Sequence, residues 1–160
     1  MAYINMNRLV LVDDDKEQVM TQSAVDPKMI QAYRETEYCV LGDNKFMLKV
    51  DQFNNALMAA HKQYSVGCST FITAYNPYSQ TCETAQNVKL NQRLSDELKA
   101  SGLSFIDAIG RHPQSTWAGE NSFFVLGLTL SAATIMGARY QQNALIWCGQ
   151  KAVPQLIMLK

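Results

Sequence analysis

Polar side chains cluster where three predicted strands begin or end. One cluster lies at the end of a β-type run at 71–75, the second opens the most apolar run of the chain at 122–128, and the third precedes the apolar run at 144–148. The three clusters are Thr73 with Asn76, Glu120 with Ser122, and Gln142 with Asn143. If these strand ends meet at one edge of a sheet, they form a cleft of amides, hydroxyls and one carboxylate. We expect such a cleft to bind a small polar ligand that is nucleotide-, sugar- or amino-acid-like.

A helix predicted over 83–101 adds two more amides. Its apolar stripe recurs at i, i+4 and i+8 and is formed by Leu90, Leu94 and Leu98. Asn87 and Asn91 border this stripe, although asparagine is a poor residue inside a helix. We therefore expect both side chains to form hydrogen bonds. Their partner is either the ligand, or solvent or a neighbouring loop backbone.

A long polar loop over 110–121 supplies further candidates. Trp117 offers a stacking surface for a planar ligand, as do Tyr75 and Tyr78 in the earlier loop. Arg111 and His112 are suited to contact a phosphate or carboxylate group.

The same residues allow three functional interpretations. The first is ligand binding without chemistry, and the second is a protein-interaction or regulatory module in which these side chains support loops. The third is a small enzyme with Glu120 as general base and His112 as acid or base. The sequence contains no recognisable nucleophile with a neighbouring base and no glycine-rich phosphate loop, and it predicts no cofactor.

Composition limits the partners. The chain has 160 residues, of which 48% are hydrophobic and 18% charged, and its formal net charge is zero, which argues against sequence-independent nucleic-acid binding. Four widely spaced cysteines lack metal-ligand spacing, so no metal site is predicted, and free thiols fit the cytoplasm. No apolar stretch is long enough for a membrane span, and no secretory signal is readable. A protein partner or a homodimer remains open.

Local patterns predict a single α+β domain over residues 29–160. We expect one mixed, mostly antiparallel sheet of six or seven strands with helices packed against it. Hairpins are predicted at 36–50 and 144–159, and the helices are predicted at 52–64, 83–101 and 131–140, with Asp51 and Ser131 capping the first and last. Residues 1–28 are predicted to form an extension with a short strand and then a helix capped by Asp14 or Asp15.

Several motifs along residues 30–160 occur in an order that resembles one protein family. They are AYRETEY at 32–38, FITAYNP at 71–77, Asn87 with Arg93-Leu94, Gly110-x-x-Pro113, Trp117-x-x-Glu-x-Ser122, FVLG at 124–127 and Gln142-Asn143-Ala144. The chain resembles the bacterial family catalogued as domain of unknown function 3293. The resemblance implies a compact α/β bacterial protein and no named activity. Ala118-Gly119 departs from the acidic or bulkier residue that the family tends to have there.

Overall fold

The computed structural model describes residues 3–5, 8–13, 16–21, 23–116 and 118–160, the first three ranges as backbone only. The strands are β1 Tyr3–Asn5, β2 Arg8–Asp13, β3 Lys16–Thr21, β4 Glu37–Val40, β5 Phe46–Leu48, β6 Ser69–Ile72, β7 Ser104–Arg111, β8 Glu120–Leu126, β9 Ala144–Cys148 and β10 Pro154–Met158. The helices are α1 Pro27–Glu35, α2 Asn55–Gln63, α3 Thr84–Ala100 and α4 Leu130–Arg139. Within these ranges, no helix is both long and apolar enough to cross a membrane.

Seven strands form the main sheet in the order β10-β9-β6-β8-β7-β4-β5. All of its pairings are antiparallel, so the predicted single α+β domain is confirmed and the described strands contain none of the parallel pairs of a mixed sheet. Helical crossovers commonly join neighbouring parallel strands. The two strands that α3 joins, β6 and β7, do not pair with each other, because β8 lies between them and is antiparallel to both.

The predicted helix in the N-terminal extension is wrong. Backbone pairing joins β2 to β3 in an antiparallel hairpin from Arg8↔Thr21 to Asp13↔Lys16, and β1 adds a third strand. A strand takes its backbone hydrogen bonds from a neighbouring strand, which a sequence pattern read in isolation does not reveal. Asp14 and Asp15, the predicted helix caps, lie outside the described residues.

Two helix caps also differ from the prediction. Asn54 caps α2, because its side-chain oxygen accepts from the Leu57 amide at 2.9 Å. Asp51 instead has a positive φ of 64° and forms an exposed ion pair with Arg34 at 3.0 Å. Thr129 caps α4 two residues before the predicted Ser131. Each helix has more than one polar residue near its N-terminus that could cap it. The residue directly before the first helical turn is the one whose side chain accepts the amide hydrogen bond.

The sheet buries apolar side chains on both faces, because successive residues of a strand point to opposite sides. On the face that α2 covers, Val40, Phe124 and Ile146 belong to one cluster. On the face that α3 and α4 cover, Phe123 and Val125 belong to a second cluster. Strand β8 is buried on both faces, as expected for the most apolar run of the chain.

Candidate functional site

A cavity of about 270 Å³ lies on the α2 side of the sheet, next to that apolar cluster and beneath α1. Most of the sheet residues that line it alternate along their strands, as Glu120 and Ser122 do on β8, which is the period of two of a single sheet face. The floor contains small side chains, namely Thr36, Thr73, Gly110, Ser122 and Ala144. The cavity exists because these small residues face α1, whereas larger ones face α2.

Helix α1 forms the roof of the cavity. Met29, Ala32 and Tyr33 line it at spacing i, i+3 and i+4, which is one helical face. None of the α1 residues is fully buried, although the helix is amphipathic. The apolar face of this helix therefore lies over open space and is not packed into a filled core.

Glu120 places a carboxylate in the cavity at the first residue of β8. Its Oε1 accepts a hydrogen bond from Asn76 Nδ2 at 2.8 Å. Burial raises the pKa of this carboxyl above its ordinary value, and the bond from Asn76 opposes that rise. Its second oxygen, Oε2, accepts no hydrogen bond from any described residue, so it is available to a ligand.

The orientation of the Asn76 amide is fixed by its neighbours. The Asn76 backbone N–H donates to Asn87 Oδ1 at 2.9 Å, and Asn87 Nδ2 donates back to Asn76 Oδ1 at 2.8 Å. The Cys82 backbone N–H donates to the same Oδ1 at 3.0 Å. Because backbone N–H groups can only donate, both amides have one consistent orientation. The nitrogen of Asn76 therefore has to face Glu120.

The loop that carries Asn76 has an unusual backbone. Asn76, Tyr78 and Ser79 have positive φ values of 47°, 54° and 58°. Side chains other than glycine adopt this region rarely, at a cost of about 1–3 kcal/mol each, and such residues often cluster at functional sites. The hydrogen bonds from Asn87 and the Cys82 amide hold the loop in this conformation.

Asn87 and Asn91 lie on the α3 side of the loop and do not line the cavity. Asn91 Oδ1 accepts from the Ala74 amide at 2.9 Å, and its Nδ2 donates to the Asn121 carbonyl at 3.0 Å. Of the two alternatives that the sequence left open, hydrogen bonding to a loop backbone is the arrangement found. The two asparagines connect the end of β6 to the start of β8 and so position Asn76 and Glu120.

Gln142 and Asn143 line the cavity from the side of β9. Gln142 Nε2 donates to the Tyr75 carbonyl at 3.1 Å. Asn143 Nδ2 lies 3.2 Å from the Tyr33 hydroxyl and 3.1 Å from the Ser79 hydroxyl, which are themselves 2.5 Å apart. These bonds attach the α1 roof to the loop, while both side-chain oxygens accept no hydrogen bond from a described residue.

Thr73 and Ser122 line the cavity as well, but their hydroxyl protons are used within the protein. Thr73 Oγ1 donates to the Asn121 carbonyl at 2.7 Å, and Ser122 Oγ donates to the Glu120 carbonyl at 2.9 Å. Both hydroxyls therefore contribute to the polarity of the floor mainly as acceptors.

Arg111 and His112 line the cavity where β7 leaves the sheet. His112 Nε2 lies 2.9 Å from a Glu35 carboxylate oxygen, and the Gln114 amide donates to its Nδ1 at 3.2 Å. Both ring nitrogens are therefore occupied in joining this loop to α1. Arg111 is exposed, and its guanidinium forms no ion pair with the described part of the chain. Trp117, the predicted stacking residue, lies outside the described residues.

The sequence interpretation missed the roof of the cavity and the floor residues Thr36, Gly110 and Ala144. Tyr33 and Ser79 join the roof to the loop, and neither hydroxyl stood out in a pattern. Gly110 could have been predicted, because a glycine inside a strand often marks a place where a ligand or another backbone segment approaches the strand closely. Gly119 permits a close approach too, since a Cβ there would lie 2.6 Å from the Ile109 side chain. A bulkier residue at 119 would require Ile109 to move.

Metal chemistry has no support in the side chains that can be described. Among residues 23–116 and 118–160, no group of three His, Cys, Asp or Glu side chains is placed to hold a metal ion. The four cysteines Cys39, Cys68, Cys82 and Cys148 are free thiols.

The fold and cavity define a single-domain α+β protein with an antiparallel seven-stranded sheet and a partly polar cavity beneath its first helix. Residues 72–145 match the model of the family described as "Protein of unknown function (DUF3293)". The match confirms, over this segment, the resemblance indicated by the sequence motifs. The motif at 32–38 lies outside the matched segment. Comparisons with curated proteins and with solved structures found no match.

Proposed function

We propose that this domain binds a small polar organic ligand, nucleotide-, sugar- or amino-acid-like, in the cavity beneath α1. The main support is unfilled space of about 270 Å³ that a helix covers with its apolar face. The space is partly open to solvent, and a cleft lined by apolar surface with a few polar groups is the usual form of a small-molecule site. Its volume is just below the roughly 300–1,000 Å³ of typical ligand pockets, which favours a small metabolite.

The polar groups support the same proposal. Glu120 is held in the cavity, and among the described residues its carboxylate has one hydrogen-bond partner, the neutral amide of Asn76. A partly buried carboxylate without a cationic partner is unfavourable, and the loop that presents Asn76 has strained backbone angles. Neither feature is explained by stability, and both are typical of a binding site.

Filling the cavity should block binding without unfolding the protein. A Cβ at Gly110 would lie 3.8 Å from Phe71 and Thr36, which is ordinary contact, and its φ is not positive. We expect Gly110→Ala to gain about 0.4–1 kcal/mol of stability and to keep ligand binding. The larger Gly110→Leu should fold cooperatively but lose binding.

The measurement is a thermal-shift screen of nucleosides, monosaccharides and amino acids. A compound at 100 times its Kd should stabilise the wild type by about 2.7 kcal/mol. An equal shift in Gly110→Leu would contradict the proposed location of the site.

A second candidate is a small enzyme in which Glu120 is the general base. Burial raises the pKa of Glu120 towards the neutral range in which a base is most effective. If the domain turns over a compound found in the screen, Glu120→Gln should reduce kcat about 100-fold or more. Unchanged turnover in this variant would exclude Glu120 as the base.

A further inference from the structure

We propose that the ligand is an uncharged compound rich in hydrogen-bond donors, a free sugar or nucleoside, and that the cavity rejects the same compound once it carries a phosphate or carboxylate group. This inference rests on the proposed function and specifies which of its ligand classes the polar groups of the cavity can satisfy.

The first argument concerns the two amide side chains just before β9. Gln142 Nε2 donates to the carbonyl oxygens of Tyr75 and Tyr140 at 3.1 and 3.3 Å, and because carbonyls only accept, the amide oxygen is the end left over. Asn143 Nδ2 is likewise used, by two hydroxyl groups at 3.1 and 3.2 Å. Both side chains line the cavity, with 8% of Gln142 and 7% of Asn143 exposed. No fully buried oxygen of a described side chain lacks a partner, so these two unpaired oxygens are open to water or a ligand.

The second argument concerns the hydroxyl groups of the cavity lining. The hydroxyl protons of Thr36, Tyr38, Thr73 and Ser122 are each donated to a backbone carbonyl, at 2.6–2.9 Å. These oxygens keep only lone pairs for a ligand, so they too act as acceptors.

The third argument concerns positive charge, which the cavity does not offer. Arg111 and His112 are the basic residues among the described lining. Arg111 lies directly across from Glu37 in the strand register, one residue beyond the pair that faces the cavity, so its side chain leaves the sheet on the opposite face. His112 Nε2 is 2.9 Å from a Glu35 carboxylate oxygen and is occupied there. An anionic ligand would therefore find no counter-charge among the described side chains.

Glu120 adds a further acceptor and disfavours anions. Its Oε1 accepts from Asn76 Nδ2 at 2.8 Å, while Oε2 accepts no hydrogen bond from a described residue. A hydroxyl or N–H group of a ligand can donate to Oε2, whereas a phosphate or carboxylate there would bring two like charges together. The unpaired polar groups of the cavity are thus mainly acceptors, which a donor-rich uncharged compound satisfies.

The apolar wall fits the same class of ligand. Tyr38 and Phe71 are in edge-to-face contact with ring centroids 5.1 Å apart, and Ile146 and Leu156 extend this surface. Aromatic and aliphatic surface packs against the C–H groups of a sugar or the plane of a base. A cavity of about 270 Å³ with one such wall suits a single sugar or nucleoside.

The test uses free monosaccharides and nucleosides as probes, with binding measured by isothermal titration calorimetry. Each probe is compared with its own phosphate or acid, for example D-glucose with D-glucose 6-phosphate and D-gluconate, and adenosine with adenosine 5′-monophosphate. We expect the tightest-binding free compound to bind at least about tenfold more tightly than its charged form, which corresponds to about 1.4 kcal/mol.

Glu120→Gln exchanges an acceptor for a donor in the cavity. The glutamine oxygen keeps the bond from Asn76, so its Nε2 takes the position of Oε2 and meets the donor of the ligand. We expect the free compound to bind at least about tenfold more weakly to this variant. Its phosphate should lose less affinity, so the ratio of the two dissociation constants changes, whereas a purely structural role of Glu120 would weaken both equally. Asp107→Asn is the matched control and should change neither affinity, because Asp107 is an exposed carboxylate of β7 that does not line the cavity.

The outcomes separate the two proposals. If a nucleotide, a sugar acid or an amino acid binds the wild type as tightly as any uncharged compound, and Gly110→Leu loses that binding, this inference is overturned and the proposed function stands. If no compound of any class binds the wild type, both are overturned. An unchanged ratio of dissociation constants in Glu120→Gln also overturns the inference, because the cavity would then not distinguish ligands by the donors they carry.

Discussion

Glu120→Gln is expected to make the protein more stable at pH 7–8 while removing ligand binding. The glutamine keeps the oxygen that accepts from Asn76 Nδ2 at 2.8 Å and removes the buried charge. Substitutions that relieve a destabilised functional group commonly gain about 0.5–2 kcal/mol. For a domain of this size that gain is a rise in Tm of roughly 1–8 °C, at about 2–4 °C per kcal/mol.

The pH dependence of this effect has a definite sign. Burial raises the pKa of Glu120 in the folded state above its value in the unfolded state. The folded protein therefore holds the proton more tightly, and stability from this group is fully present below the unfolded pKa and is lost as the pH rises through the folded pKa. The stability advantage of Glu120→Gln should thus be smallest near pH 4 and grow towards pH 8.

Urea unfolding of wild type and variant between pH 4 and pH 8 measures this difference directly. Asp107→Asn again serves as the control for removal of a carboxylate, since that side chain is exposed. If Glu120→Gln were less stable than wild type at neutral pH, the carboxylate would be a structural support of the loop, and its place in a binding site would lose its main physical argument.

Asn87→Ala is expected to destabilise the domain by about 2 kcal/mol, which is the second largest effect. The change removes the acceptor of the partly buried Asn76 N–H and the donor to Asn76 Oδ1. Leaving a buried backbone group unsatisfied costs about 1–3 kcal/mol, and the better helix propensity of alanine offsets roughly 0.5 kcal/mol. The Asn76 amide also loses the bond that orients it, so Glu120 loses its positioned partner.

The measurements are the free energy of unfolding and the affinity for a ligand identified with the wild type. Gln92→Ala on the same helix is the matched control, because its amide contacts only Asp96 at an exposed surface and should change stability by less than about 0.5 kcal/mol. A stable Asn87→Ala protein with unchanged affinity would show that Asn76 keeps its orientation without Asn87.

Much of the fold could be predicted because the signals are local. Asp26 caps α1 and Pro27 is its first residue, an order typical of helix starts, and the hairpins β4–β5 and β9–β10 form where turn residues separate two β-type runs. Caps shifted by two or three residues, as at Asn54 and Thr129, since several polar residues near a helix start can accept the same amide bond. The pairing order of the strands was not predictable, because it depends on contacts between distant segments.

The candidate site likewise has features that local sequence predicts and features that depend on contacts between distant segments. Sequence patterning by itself placed Glu120 and Gln142 at or just before the starts of strands, since apolar periodicity locates strand ends. The run predicted at 71–75 was displaced, because β6 ends at Ile72 and Asn76 lies in the loop four residues later. Only the tertiary structure decided that these ends surround one cavity and that Asn87 and Asn91 stand behind the loop. The physical reason is that β8 inserts between β6 and β7, and this register places small floor residues from five strand ends beneath α1. The spacing of residues along the chain does not indicate that β8 lies between β6 and β7. It also does not indicate on which side of the loop the side-chain amides of Asn87 and Asn91 lie.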